Sequence, residues 1–347
     1  MNPRAQFKIG SIPLSLLVVI GQRFLLATPL VMATTVVAAS VLADDAKLVT
    51  FDPPGSQKTF VSGINASKSV TGFYSDGTSY HAFVRDQHEI ISTFDAPGAQ
   101  PGDETLPSSI NNAGTVAGYV FQGAARNQHS FVRDKHGNIT VFDPPGAAFG
   151  SNAVGINNAG TIAGSYGDAL GNVGGFVRDA GGRFTLFDVP GSSATYVNAI
   201  DLDGTVVGQA SGNDGALQGF IRAASGTITS FDPTGSVYTY PASIAGGTIA
   251  GLYVDLDGTY HGFVRTVEGA ITSFDPVGSA GTLALAINSD GVVVGWFFDS
   301  NFVSHGFLRE KSGRITTFDV LGSSGTKPVA LTAVMEDANS SLNSADA

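Results

Sequence analysis

The sequence predicts an all-β protein, a β-propeller of four-stranded blades, with six blades favoured and seven as the alternative. Three observations lead there. A single period of about 44 residues runs from Phe51 to Phe318. Each period divides into four short apolar segments rich in Ile, Val, Phe, Thr and Tyr. The junctions between segments are Gly, Asn, Asp and Pro, the residues of tight turns.

The clearest mark of the period is Phe-Asp followed by a Pro/Gly turn. It occurs at Phe51, Phe94, Phe142, Phe187, Phe231, Phe274 and Phe318, with spacings of 43, 48, 45, 44, 43 and 44 residues. Each interval opens with a segment ending in Ile-Asn or a variant, as at Ile110-Asn111, Ile156-Asn157 and Ile287-Asn288. A turn follows, then an apolar run with a fixed glycine at Gly72, Gly118, Gly164, Gly208, Gly251 or Gly295. A variable polar loop leads to a third segment carrying Phe-x-Arg. A fourth segment returns to Phe-Asp, most often as Ile-Thr-x-Phe-Asp. These lengths suit strands and are too short for helices. Six full units result. The additional strand at residues 48–54 and a run at 329–334 resembling an opening strand are the material with which the termini close a ring. A β-solenoid is the main rival, but its coils are usually shorter.

Residues 1–43 read differently. Arg4 and Lys8 precede two apolar stretches separated by Gln22-Arg23, and Val41-Leu42-Ala43 fits a signal-peptidase site. A signal peptide over 1–43 is the favoured reading, which places the protein among exported chains, in the periplasm or outside the cell. The alternative is an uncleaved anchor, because residues 24–42 carry no charge and are long enough to span a bilayer. Residues 44–335 form one repeat-built domain, and 336–347 a polar, flexible tail.

Composition narrows the function. The net charge is −11, which disfavours nucleic acid as a partner. There is no cysteine, so disulfides, thiolate metal sites and cysteine nucleophiles are excluded. No phosphate-binding glycine loop and no Gly-x-Ser-x-Gly elbow is present.

The pattern Ile-Asn-x-x-Gly-x-Val-x-Gly followed by His-Ala-Phe resembles the bacterial extracellular HAF-repeat proteins. His81-Ala82-Phe83 has the tripeptide outright. His129-Ser130-Phe131, His261-Gly262-Phe263 and His305-Gly306-Phe307 are near matches, whereas Gly174 and Gln218 replace the histidine in two units. The resemblance spans about residues 48–325. It implies an exported repeat protein and supplies no catalytic residues.

The repeat itself offers the candidate ligand-binding residues. Arg85, Arg133, Arg178, Arg222, Arg265 and Arg309 of Phe-x-Arg could form a rim for an anion, although contacts between neighbouring blades are the simpler role. His81, His129, His261 and His305 are expected to pack opposite the fourth-segment Phe, as His129 opposite Phe142, and only convergence on a central channel would make them ligands. The Phe-Asp aspartates are expected to cap the following turn. Asp201-Leu202-Asp203-Gly204 and Asp255-Leu256-Asp257-Gly258 resemble calcium loops but lack the further oxygen ligands such loops need, so no cofactor is expected and calcium is the weak exception.

Two functions remain. The first is a non-catalytic binding module for carbohydrate or another surface macromolecule, met at the variable loops, and a spacer without ligand is hard to separate from it. The second is an extracellular polymer-degrading hydrolase or lyase with a central-channel site. An enzyme should break the repeat with unique side chains. The visible breaks are Tyr196, Tyr238, Tyr240, Asp103-Glu104 and Trp296, which form no recognisable catalytic set. Contact with a membrane arises only if the N-terminal segment is retained.

Overall fold

The computed structural model describes residues 16–20, 36–41, 47–123, 127–212, 215–320 and 325–333. All regular structure among them is β-strand. No helix of these residues is long and apolar enough to cross a membrane. The cleavage point after Ala43 and the tail at 336–347 lie outside the described residues.

Each period folds as one unit. In the first, Lys58–Ile64, Val70–Ser75, Tyr80–Arg85 and Ile91–Phe94 pair antiparallel in chain order. Residues 104–142, 151–187, 194–231, 236–274 and 281–318 repeat the arrangement. The fourth strand of every unit ends on the Phe of Phe-Asp. A sheet with the same order of positions joins the termini: Pro328–Ala333, Leu16–Ile20, Val36–Val41 and Lys47–Phe51 lie side by side. Two of these strands fall inside the segment that the sequence marks as a leader.

The first strands lie next to one another in order, and Pro328–Ala333 neighbours both Gly281–Ile287 and Lys58–Ile64. Every first strand of the six units also carries a register shift, as between Val61 and Gly63 or Val197 and Ala199. Bulges of this kind bend a strand and sharpen its twist. The result is an all-β, propeller-like fold.

The core lies between successive sheets. Val177 and Phe187 of the third unit pack with Val197, Val206 and Phe220 of the fourth. Phe83, Phe131, Phe176, Phe220, Phe263 and Phe307 are fully buried. Each such ring contributes about 1.5–3 kcal/mol through burial alone. The fixed glycine makes room for it. At Gly164 a Cβ would drive into the Asn152 carbonyl and the Phe176 ring.

The conserved geometry between units comes from Phe-x-Arg. Its Phe meets the Phe-Asp ring of the preceding unit edge to face, with centroids 6.2 Å apart for Phe94–Phe131 and 5.7 Å for Phe274–Phe307. Its Arg lies over the same ring, 4.7 Å from the Phe94 centroid for Arg133 and 5.1 Å from Phe231 for Arg265. One aromatic ring thus meets both a ring and a guanidinium of the next unit, a contact worth about 0.5–2 kcal/mol for the cation–π part.

At the end of the first strands, asparagines tie the units together. Asn65 Nδ2 donates to the Asn111 carbonyl at 2.9 Å, and Asn111 Nδ2 to the Asn157 carbonyl at 3.1 Å. Asn157 Nδ2 reaches the Asp201 carbonyl at 3.3 Å. The Oδ1 atoms accept from the turn that follows, as Asn111 does from Ala113 and Thr115.

Candidate binding site

The aspartates and histidines of the repeat meet at the opposite end, where the first strands begin. Ser130 rather than His129 stands opposite Phe142, so the histidine comes level with Asp143. This corrects the expected register by one residue. His129 Nδ1 lies 2.5 Å from Asp143 Oδ2, and His261 Nδ1 lies 2.7 Å from Asp275 Oδ2. His81 sits between Asp95, at 2.9 Å, and Asp76, at 3.3 Å. His305 contacts Asp319 in the same way. Burial alone would lower the His81 and His261 imidazoles. The carboxylates Asp95 and Asp76, and Asp275 and Asp255, outweigh it and raise both above the ordinary histidine value. Asp76 is held down at about 2, by the backbone N–H groups of Ser79 and Thr78 and by His81.

The aspartates do not cap their turns through backbone N–H groups as the sequence suggested. Asp52, Asp143, Asp232 and Asp275 precede proline and accept the hydroxyl of Thr59, Ser151, Thr239 and Thr282 on the next first strand. Where the following residue is Ala96, Val189 or Val320, its N–H donates to Thr105, Thr195 or Thr326 instead. Proline has no N–H, so the hydroxyl turns its proton toward the carboxylate. Of the calcium-like loops, Asp201 accepts the N–H of Leu202 and of Gly247, and Asp255 those of Asp257 and Thr259. Among the described residues no three His, Asp or Glu side chains converge as a metal site.

The six arginines are distributed between the units rather than gathered. Arg85, Arg133, Arg178, Arg222, Arg265 and Arg309 each stack on the preceding Phe-Asp ring at 4.7–5.1 Å. Burial lowers Arg133, Arg222 and Arg309 from the ordinary guanidinium value. The four histidines are likewise spaced one per unit; three face aromatic rings, His261 Tyr253 at 5.0 Å, His81 Tyr74 at 5.2 Å and His305 Phe297 at 5.1 Å, whereas His129 stands opposite Val120.

A different set of residues converges. A cleft of about 690 Å³ opens at this end across the third, fourth and fifth units. Asn152, Tyr196, Asn198 and Tyr240 reach it from three successive first strands, Tyr166 and Gln209 from second strands, and Phe149 from the preceding loop. Tyr196 and Phe149 are 38% and 68% exposed, although both are large aromatics. Tyr238 and Tyr240 stack nearly parallel, 6.5 Å apart. The Tyr238 hydroxyl donates to Gln209 Oε1 at 3.2 Å and Asn198 Nδ2 to the Pro241 carbonyl at 2.9 Å, which orients both amides. Burial raises the Tyr240 phenol, with Tyr238 adding to it. Among the described residues nothing charged lines the cleft, and none of the ten candidate arginines and histidines does so.

Sequence reasoning noticed Tyr196, Tyr238 and Tyr240 as departures from the repeat but could not join them. Tyr196 and Tyr240 lie a full period apart, and only the alignment of first strands brings them to one wall. The signal was a tyrosine at matching places in adjacent units, Tyr196 facing Gln209 and Tyr240 facing Leu252. In the sixth, first and second units the place of Tyr196 is taken by Leu283, Phe60 and Leu106, and that of its partner Gln209 by Trp296, Phe73 and Tyr119. Lys327 Nζ lies 4.3 Å over the Trp296 ring.

No family model matches the chain, and no curated protein matches it. Solved structures do resemble it. A streptogramin B lyase is 15% identical with a TM-score of 0.53, covering 78% of this chain and 86% of its own. Virginiamycin B lyase from Staphylococcus aureus is 17% identical with a TM-score of 0.51, covering 76% and 85%. A puromycin hydrolase variant is 12% identical with a TM-score of 0.56, and the likeness spans 83% of this chain but 51% of that one. At such identities these likenesses bear on the fold alone. They agree with an all-β, propeller-like architecture.

Proposed function

We propose that this chain is an exported, non-catalytic binding module of the HAF-repeat kind. Seven blades form the ring, six of them four-stranded; in the seventh, Pro328–Ala333 and Lys47–Phe51 belong to the exported chain, whereas Leu16–Ile20 and Val36–Val41 complete it only where the leader is retained, and the ligand is met at the end where the first strands begin. The observation that carries the reading is the cleft across the third to fifth units. It is cut where the repeat is broken, on a scaffold that is otherwise uniform. Its size falls within the roughly 300–1,000 Å³ of ordinary ligand sites. Its titratable side chains are tyrosines, and burial holds Tyr240 above its ordinary value, so it offers no general acid–base pair for work near neutral pH. No cofactor is part of the proposal, and secretion is its setting. The placement of Pro328–Ala333 between the first strands of the sixth and first units supports seven members over six.

Thermal unfolding against extracellular polysaccharides, surface proteins and chelator tests the reading. A ligand that binds the folded state at a hundredfold excess over its dissociation constant stabilises by about 2.7 kcal/mol. The expected result is a saturable upward shift with one class, abolished by Tyr196→Ala, and no change with chelator. A panel without any shift contradicts the reading. Turnover of the bound polymer would favour the hydrolase or lyase alternative.

A further inference from the structure

We infer that the cleft between the third and fifth units binds a neutral saccharide. The inference rests on the binding-module reading and names its ligand class. Three features of the cleft select the chemistry.

The first is neutrality. The protein carries a net charge of −11, yet among the described residues the lining contains no Asp, Glu, Lys, Arg or His. An anionic ligand would find no guanidinium or ammonium among these side chains and would be repelled by the surrounding field, to which Asp188 and Asp168 contribute at Tyr166. A cation would find no carboxylate among the described lining residues. The second feature is the polar equipment, which is amide and hydroxyl. Asn152, Asn198, Gln209 and Gln128 reach the cleft together with Ser165 and the tyrosines. A purely apolar ligand would leave these groups unsatisfied when it expelled water, at about 1–3 kcal/mol for each buried group. Two amides are already aimed: Asn198 is tethered through Nδ2, which leaves its Oδ1 as acceptor, and Gln209 is tethered through Oε1, which leaves its Nε2 as donor.

The third feature is the aromatic surface. Tyr196 stands exposed on the central first strand of the cleft, and Phe149 and Tyr240, the latter stacked on Tyr238, share its lining. A sugar ring has an apolar face of C–H bonds and an equator of hydroxyls. Flat aromatic faces beside oriented amides match both at once, and tyrosine supplies such contact with little side-chain entropy to lose. The seats on three successive strands suit a chain of sugars better than one.

Isothermal titration of the full-length protein with short cello-, xylo-, malto- and chito-oligosaccharides, and with oligogalacturonate as the anionic counterpart, tests this. At least one neutral series should bind. Tyr196→Ala and Asn152→Ala should each weaken it by roughly tenfold or more, and Tyr196→Phe by less than about twofold. Leu256→Ala, on an exposed turn, should leave it unchanged, and circular dichroism should show all variants folded. Preference for oligogalacturonate, or neutral binding indifferent to Tyr196 and Asn152, overturns the inference. Absence of saccharide binding overturns it too. If a surface protein then raises the unfolding midpoint in a Tyr196-dependent way, the binding-module reading survives and only the ligand class falls.

Discussion

The two ends of the first strands differ in what they do with the same repeat. At the finishing end, Asn65, Asn111 and Asn157 make the same bond to the next unit, and each turn is tied by the same Oδ1 atom. At the starting end the equivalent positions are Phe60, Leu106, Asn152, Tyr196, Tyr240 and Leu283. The shared asparagines of the first three units make identical contacts and hold those units in line, while Asp201, Ala245 and Asn288 stand at this position in the others. Varied residues create a local chemistry that one ligand can read. The strands between the ends are about 20 Å long, which keeps the two tasks apart. Substitutions at one end should therefore leave the other nearly untouched.

The largest expected effect falls on the part common to both ends. Phe176→Ala empties a fully buried site between sheets and should cost about 3–5 kcal/mol in denaturant unfolding. Next comes the uniform end. Asn111→Ala removes the bond to Asn157 and two turn bonds, and should cost about 1–3 kcal/mol while saccharide affinity stays unchanged. Loss of affinity in that variant would join the two ends and break the comparison.

A smaller effect is expected of Phe302→Gly, with opposite sign. Phe302 has φ 61 at the turn position where Gly171 and Gly258 stand in other units, and it is 82% exposed. Relief of the left-handed backbone is offset in part by loss of the Phe302 stack on Phe298 at 5.8 Å and by glycine's freedom in the unfolded chain, so the gain should stay below about 1 kcal/mol. At the varied end, Tyr196→Ala should change stability by no more than about 0.5 kcal/mol while abolishing binding.

The smallest effect is on pH. His81 and His261 are raised in the folded state, so their contribution is complete below the unfolded value of about 6.5 and is lost as pH rises through the folded value. The unfolding midpoint should therefore decline across that window, and the double variant His81→Gln, His261→Gln should flatten the decline. A midpoint that rises there would contradict the assigned ion pairs.

Much of the scaffold was legible because each of its requirements recurs. Phe-Asp marks a strand end, the fixed glycine marks a close approach, and Asn-x-x-Gly marks a turn, all of them local. Contacts between units were expected of the arginines, but the sequence hid their partners. Arg133 is written beside Phe131, yet it stacks on Phe94 of the preceding unit. Thr59 appears to be an ordinary strand residue, but it is buried and bound to Asp52. The closing seam also departs from the rule: Val36–Val41 contains no Phe-x-Arg to grip Phe318, which packs instead with Val320 and Leu331 beside Val294. The cleft stayed hidden for a related reason, since its tyrosines are neighbours only after the units are stacked.

Hydrogen exchange of the full-length protein, with and without the tightest-binding neutral oligosaccharide, tests the division between the ends most directly. The account predicts slowed exchange at residues 149–154, 194–198 and 238–241, and no change at the asparagine turns 65–69, 111–115 and 157–161. Protection confined to the asparagine turns, or spread evenly over all six units, would contradict it.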